Sequence, residues 1–187
     1  MRRHIVYGHA IVSADDRIAA GNGETPTALR NDADWLRFQA ALDAASVTVL
    51  GRRGHLGNPN PKGRNRLVLS SSADAIEQRP DGWWWNPAFV PLEEALAHAA
   101  PGGGVAAIVG GTRVFDLFLD YGYDVFDLVR AEDVLLPGGL PLFSLCDAGR
   151  NSASLLGERG LTPGQAVPLD PVHRVVLVPW TQTPGTA

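Results

Sequence analysis

The 187-residue chain contains one cysteine, one lysine and one methionine. A lone thiol at Cys146 builds neither an intramolecular disulfide framework nor a cysteine-ligated zinc site, which points to a reducing compartment. A basic excess is also missing: 16 Lys+Arg stand against 20 Asp+Glu, for a formal net charge of -4. Neutralising nucleic-acid phosphates needs the opposite balance, so nucleic acid is excluded as the main partner. Long apolar runs are absent too. No stretch approaches a membrane span, and the start of the chain lacks the pattern of a signal peptide, so the expected location is the cytoplasm. The 5 histidines show no metal-ligand spacing, and neither an HExxH motif nor a GxSxG elbow occurs. What remains is an ordinary composition, 45% hydrophobic and 19% charged, with material for one sizeable core.

Strand-like and helix-like stretches alternate along the chain. Residues 4–12 (HIVYGHAIV) predict a strand, followed by a Gly/Asn/Pro-rich loop at 20–30. Between Asp32 and Ala45 the apolar positions Trp35, Phe38, Leu42 and Ala45 recur at helical spacing, with Asn31 or Asp32 available as cap. Short β-branched strands are predicted at 46–50 and 66–70, and a further strand at the three tryptophans Trp83 to Trp85. A helix over 91–100 precedes a strand over 104–109, a helix over 113–122 and a strand over 124–135. The last two segments, 153–160 and 172–180, both look β-like. This alternation predicts a three-layer α/β domain over 1–180, with a mostly parallel central sheet, an antiparallel C-terminal edge and a flexible tail at 181–187.

Ligands of open α/β sheets sit outside the carboxyl ends of the strands, and three predicted strand ends here carry anion-friendly residues. VTVL runs into Gly51-Arg52-Arg53-Gly54, RLVL into Ser70-Ser71-Ser72, and AAIV into Gly110-Gly111-Thr112. Arginines, hydroxyls and free helix-start amides together suit a phosphorylated ligand. Each feature also has a plain reading as a turn, a cap or a solvated side chain, and the spacing matches neither GxGxxG nor a Walker loop.

The ordered set DADWLRF, VTVLGRR, KGRNRLVLSS, IVGGTRVFDLFL and GGLPLF resembles the dihydrofolate reductase superfamily, which includes the reductase domain of bacterial riboflavin biosynthesis. Order and intervals agree from about residue 4 to residue 145, and the paired final strands fit as well. The resemblance implies an NADPH-dependent reductase acting on a C=N or C=O bond of a pteridine or aminopyrimidine-like small molecule. It implies a cis peptide between Gly110 and Gly111, with the amides of Thr112 and Arg113 facing the cofactor pyrophosphate. Gly51, Arg52 and Arg53 would bind NADPH phosphates, with Ser70 and Ser71 beside the 2′-phosphate. Arg64 would meet a carboxylate tail of substrate, and Phe38 would mark the substrate side of the first helix. Asp34 matches the acidic residue that holds the substrate and supports its protonation.

Asp34 also has a plain reading, since it lies in the first helical turn and complements the dipole there; Asp32 is the alternative acid. The chain departs from the family in its substrate half. GNGETPTALRND lacks the Pro-Trp pair of folate reductases, Gly54 stands where a hydroxyl residue is common, and no threonine backs the acid near Val129 to Ala131. The cofactor half matches better, so a reductase of this superfamily is expected ahead of dihydrofolate reductase proper. A non-catalytic nucleotide-binding module on the same fold is the alternative. Trp83 to Trp85 are expected in a core or in an oligomer contact such as a homodimer's, residues 138–143 in a turn at the site's edge, and Asp15 and Asp16 in a solvated turn.

Overall fold

The computed structural model describes residues 4–182. Its main sheet runs β10 (Leu161–Pro163), β12 (Val175–Gln182), β8 (Val125–Ala131), β1 (His4–Ser13), β7 (Gly104–Ile108), β3 (Val47–Gly51), β4 (Arg66–Leu69), β6 (Gly82–Trp85) and β5 (Ile76–Arg79), with β11 (Val167–Asp170) also on β12. The strands from β8 to β6 are mutually parallel, whereas β5 and the β10–β12 group pair antiparallel. A separate two-stranded ribbon joins β2 (Arg17–Ala19) to β9 (Leu140–Pro141).

The parallel strands are buried on both faces, so their sequences are continuously apolar rather than alternating. One face carries Val6, Ala106, Val49, Leu67 and Trp85. The helices α3 (Leu92–Ala99), α4 (Thr112–Tyr121) and α5 (Ser152–Glu158) pack over it through Leu96, Phe115, Phe118 and Leu156. The opposite face lies under α1 (Asp32–Ala44) and α2 (Arg52–Gly57), and it carries Leu50, Val68 and Trp84 beside His55 of α2. The tryptophan strand thus supplies both faces: Trp84 and Trp85 are buried, on opposite sides.

Several local expectations need correction. Residues 153–160 were expected as a strand but form α5: Asn151 caps it by accepting a hydrogen bond from Ser154 N, and adjacent Leu155 and Leu156 both find the core. Helix α2, over what reads as a loop after β3, was not foreseen. The strand expected over 124–135 ends at Ala131, where Glu132 and Asp133 turn and pair with Arg174. The expected tail from 181 begins too early, because Thr181 and Gln182 still pair with β8 and β10; residues 183–187 lie outside the described residues. Asp16 is not solvated. It is buried, receives Arg130 Nη2 at 2.6 Å and the Ser152 hydroxyl, and ties the β1–β2 turn to α5.

Candidate active site

Gly51 ends β3, and Ser70 and Gly110 come just after β4 and β7, so one edge of the sheet gathers the three anion-friendly segments. Gly51 N donates to Gly110 O at 2.8 Å, which locks the first and third segments together. A cis peptide joins Gly110 to Gly111. Helix α4 begins at Thr112, and the Thr112 and Arg113 amides donate to no acceptor among the described residues, whereas Val114 N and Phe115 N donate to Gly111 O at 2.9 and 3.0 Å. The Thr112 hydroxyl donates to Pro141 O at 2.5 Å and pins the helix start to β9. Residues 138–143 were expected as a turn, but Leu140 and Pro141 form β9.

The two glycines have different reasons to be glycine. Gly110 has φ +116, a conformation that L side chains rarely adopt, and a Cβ there would stand 3.1 Å from Phe115. Gly111 has φ -79, open to any residue, and a Cβ there would meet nothing within 4 Å. Neither its φ nor packing within the described protein demands a glycine at 111. Its open face lies at the N-terminus of α4, where backbone N–H groups favour an anion.

Around this point Arg52, Arg53, Ser71 and Arg113 are exposed. Ser70 is buried, and its hydroxyl serves the local turn, bonding Ser72 Oγ at 2.7 Å and accepting from Ser72 N at 3.1 Å. A shallow cavity of about 300 Å³ is lined by Leu69 at the end of β4 and by Arg113 and Leu117 of α4. A larger one, about 530 Å³, lies at the amino ends of β4 and β6, among His55, Arg66, Arg79 and Asp81. It lies at the opposite ends of the strands from the glycine pair.

The acidic half of the site forms where α1 crosses β1 and β8. Asn31 rather than Asp32 caps α1, its side chain accepting from Asp34 N at 3.1 Å, and Asp32 and Asp34 are the acids of the first turn. The Asp34 carboxylate instead receives Arg37 Nη2 at 3.2 Å on Oδ1. Arg37 Nη1 reaches Asp127 Oδ2 in the middle of β8, and the Tyr7 hydroxyl donates to the same oxygen at 2.9 Å. His9, registered directly against Asp127, stacks on Tyr7 with ring centroids 4.3 Å apart and meets the edge of Phe38 at 6.1 Å. Tyr7 in turn is registered against Ala107 of β7, so this cluster adjoins the strand that leads to the glycine pair.

Burial sets the charge states here. Asp34 is pushed above the usual carboxylate range by burial, against the pull of Arg37. Burial drives His9 down to about 4, overriding Asp127, so the imidazole is neutral at physiological pH. Tyr7 is held up at about 12 by burial first and then by the Asp127 carboxylate, and it stays a phenol. Arg37 is therefore the cluster's one cation, set between two carboxylates.

Phe38 is half-buried against this cluster, whereas Trp35 and Leu36 on the same helix are 56% and 71% exposed. The apolar stripe of α1 is thus only partly covered. Arg64 lies outside the cluster: its guanidinium donates to Asp43 Oδ1 at 2.6 and 2.8 Å and to Gln39 Oε1 at 2.8 Å. Sequence reasoning missed Tyr7, His9, Arg37 and Asp127. Two signals pointed to them: Arg37 follows Asp34 by one helical turn, and Asp127 interrupts the apolar run of β8.

No family sequence model matches the chain, and no curated protein sequence is significantly similar to it. Solved structures are. A dihydrofolate reductase from Enterococcus faecalis, complexed with NADP(H) and RAB-propyl, superposes with a TM-score of 0.67 at 20% identity, covering 98% of this chain and 99% of that one. A diaminohydroxyphosphoribosylaminopyrimidine deaminase/5-amino-6-(5-phosphoribosylamino)uracil reductase from Thermotoga maritima gives 0.67 at 17% identity, over 97% of this chain and 57% of that one. A putative riboflavin biosynthesis protein from Shewanella gives 0.64 at 18% identity, over 96% and 99%. The chain has the dihydrofolate reductase-like fold.

Proposed function

We propose that the protein is an NADPH-dependent reductase that adds hydride to a C=N or C=O bond of a pteridine or aminopyrimidine-like substrate. The observation that carries this reading is the open face of Gly111, a glycine required by neither its φ nor its neighbours, at a helix N-terminus. That space would take the cofactor pyrophosphate. Gly51, Gly110, Gly111 and the Thr112 and Arg113 amides would hold it, with Arg52, Arg53 and Ser71 around the 2′-phosphate and the buried Ser70 shaping their turn. When bound, the cofactor supplies the hydride.

The chain's own residues supply the rest. Asp34 Oδ2 accepts no hydrogen bond from the described residues, which leaves it for the substrate edge. A carboxyl whose pKa is raised by burial holds a proton more readily than one in water, and can favour protonation of the imine nitrogen as hydride arrives. Arg37 and Asp127 fix the orientation of that carboxyl, and Phe38 and Tyr7 give the substrate ring an aromatic wall. The module reading draws support from the Arg37 contact, which occupies one oxygen of the acid. Titrating NADPH and then adding pteridines and aminopyrimidines separates the two. Substrate-dependent loss of the reduced nicotinamide absorbance is expected; saturable NADPH binding with no loss across the panel would favour the module.

A further inference from the structure

The acid at this site is not alone with the ligand. A bare carboxylate presents two acceptor oxygens side by side, and those match the two donors of an amidinium edge. Here Arg37 takes Oδ1 of Asp34 and reaches Asp127 with its other nitrogen. Its side chain is 24% exposed, and its Nε is buried without a hydrogen-bond partner. What the pair leaves for a ligand is one acceptor, Asp34 Oδ2, beside one cationic donor group, the Arg37 guanidinium.

We infer that Arg37 is a specificity residue which makes the site read a lactam edge, a ring N–H next to a ring C=O, in preference to an amidine edge. The lactam N–H donates to Asp34 Oδ2 and the lactam oxygen accepts from Arg37. A protonated amidine in the same place finds one acceptor where it needs two, and it sets its own positive charge against the guanidinium. Asp127 and Tyr7 act through Arg37. They hold its fork on the sheet side, so that the guanidinium cannot swing away from Asp34. His9, neutral and stacked on Tyr7, adds no second cation that would substitute for it. The inference rests on the proposed pteridine or pyrimidine substrate, and it adds which oxidation pattern of that ring is bound.

Three probes sharing one ring test it: pteridine-2,4-dione, 2-amino-4-oxopteridine and 2,4-diaminopteridine, each titrated by calorimetry into the NADPH-saturated protein. Leaving a charged hydrogen-bonding group unmatched costs enough to separate such ligands by about 10–100-fold. The expected order is dione tightest and diamine weakest by at least that factor. Arg37→Met should reverse the order. Arg37→Lys, which keeps the charge without the fork, should keep the order with a smaller margin. The double variant Arg37→Met/Asp127→Asn removes the cation together with its partner's charge, and serves if the single variant fails to fold; it too should favour the diamine. A diamine bound as tightly as the dione by the parent protein overturns the inference while leaving the reductase reading intact. So does an order unchanged in every Arg37 variant. Binding of NADPH with no binding of any ring removes the substrate reading, and the inference with it.

Discussion

At the carboxyl ends of β3, β4 and β7 the chain offers backbone: two glycines, the first amides of α4, and exposed arginines around them. Where α1 crosses β1 and β8 it offers side chains bound to one another, with Tyr7, Arg37, Asp34 and Asp127 in one hydrogen-bonded chain. The first region leaves helix-start amides without protein partners, while the second has largely satisfied itself. A backbone cradle recognises a phosphate group shared by many molecules, whereas an interlocked charge cluster selects among ring edges. Under the proposed function, recognition of the cofactor and choice of substrate fall to different chemistry in one fold.

The largest expected effect comes from breaking the second region. Asp34→Asn should retain NADPH binding and slow turnover by about 10²–10⁴-fold, the range of general acid–base assistance. The loss should shrink as pH falls, because solvent then protonates the substrate first. Steady-state rates from acidic to neutral pH check this, and a parent-like rate at neutral pH would remove Asp34 from the chemistry.

The first region breaks differently. Gly111→Ala should fold with an unchanged melting temperature, since its methyl meets no protein atom, yet it should weaken NADPH binding about 10–100-fold by crowding the ligand. Gly110→Ala should instead lower the melting temperature, because φ +116 is denied to alanine. If both variants lose stability alike, the division of labour between the two glycines is wrong.

A third measurement sharpens the contrast through pH. His9 has a folded pKa of about 4 against an ordinary value of 6.5. Its neutral burial therefore contributes stability that is present above pH 6.5 and is lost as pH falls towards 4. Between pH 7 and pH 5 the loss should be about 2 kcal/mol. Denaturation curves of the parent and of His9→Gln should differ in slope over that window; parallel curves would show that His9 is solvated.

The smallest effect concerns cofactor choice. Arg52→Gln should narrow the preference for NADPH over NADH by about tenfold, the worth of one charge-assisted hydrogen bond to the 2′-phosphate. Competition titrations with the two nicotinamides decide it, and an unchanged ratio would move the phosphate contact to Arg53 or Arg113.

The gathering of three segments at the carboxyl ends of β3, β4 and β7 was legible because its signals are local. A glycine pair between an apolar run and an amphipathic helix, and hydroxyls after VL repeats, are read within a few residues of one another. Even there, Ser70 and Ser71 look equivalent in sequence, and only the fold turns one hydroxyl inward to Ser72 and leaves the other residue exposed. The segment 153–160 was misread because Leu155 and Leu156 are adjacent: a strand would face them to opposite sides, while α5 buries both.

The amino-acid sequence by itself determined the alternation of strands and helices, the parallel core of continuous apolar strands, the net negative charge, and the glycine pair at the start of α4. Those properties depend on spacing along the chain, which local sterics and hydrophobic periodicity decide. Tertiary structure alone decided that Arg37 sits between Asp34 and Asp127, that His9 is driven neutral, and that Asp16 is buried against Arg130 and Ser152. Each of those facts joins elements far apart in the chain. Desolvation and ion pairing act through space, so charged residues that look solvated in sequence acquire their partners and protonation states only when the sheet brings β1, α1 and β8 together.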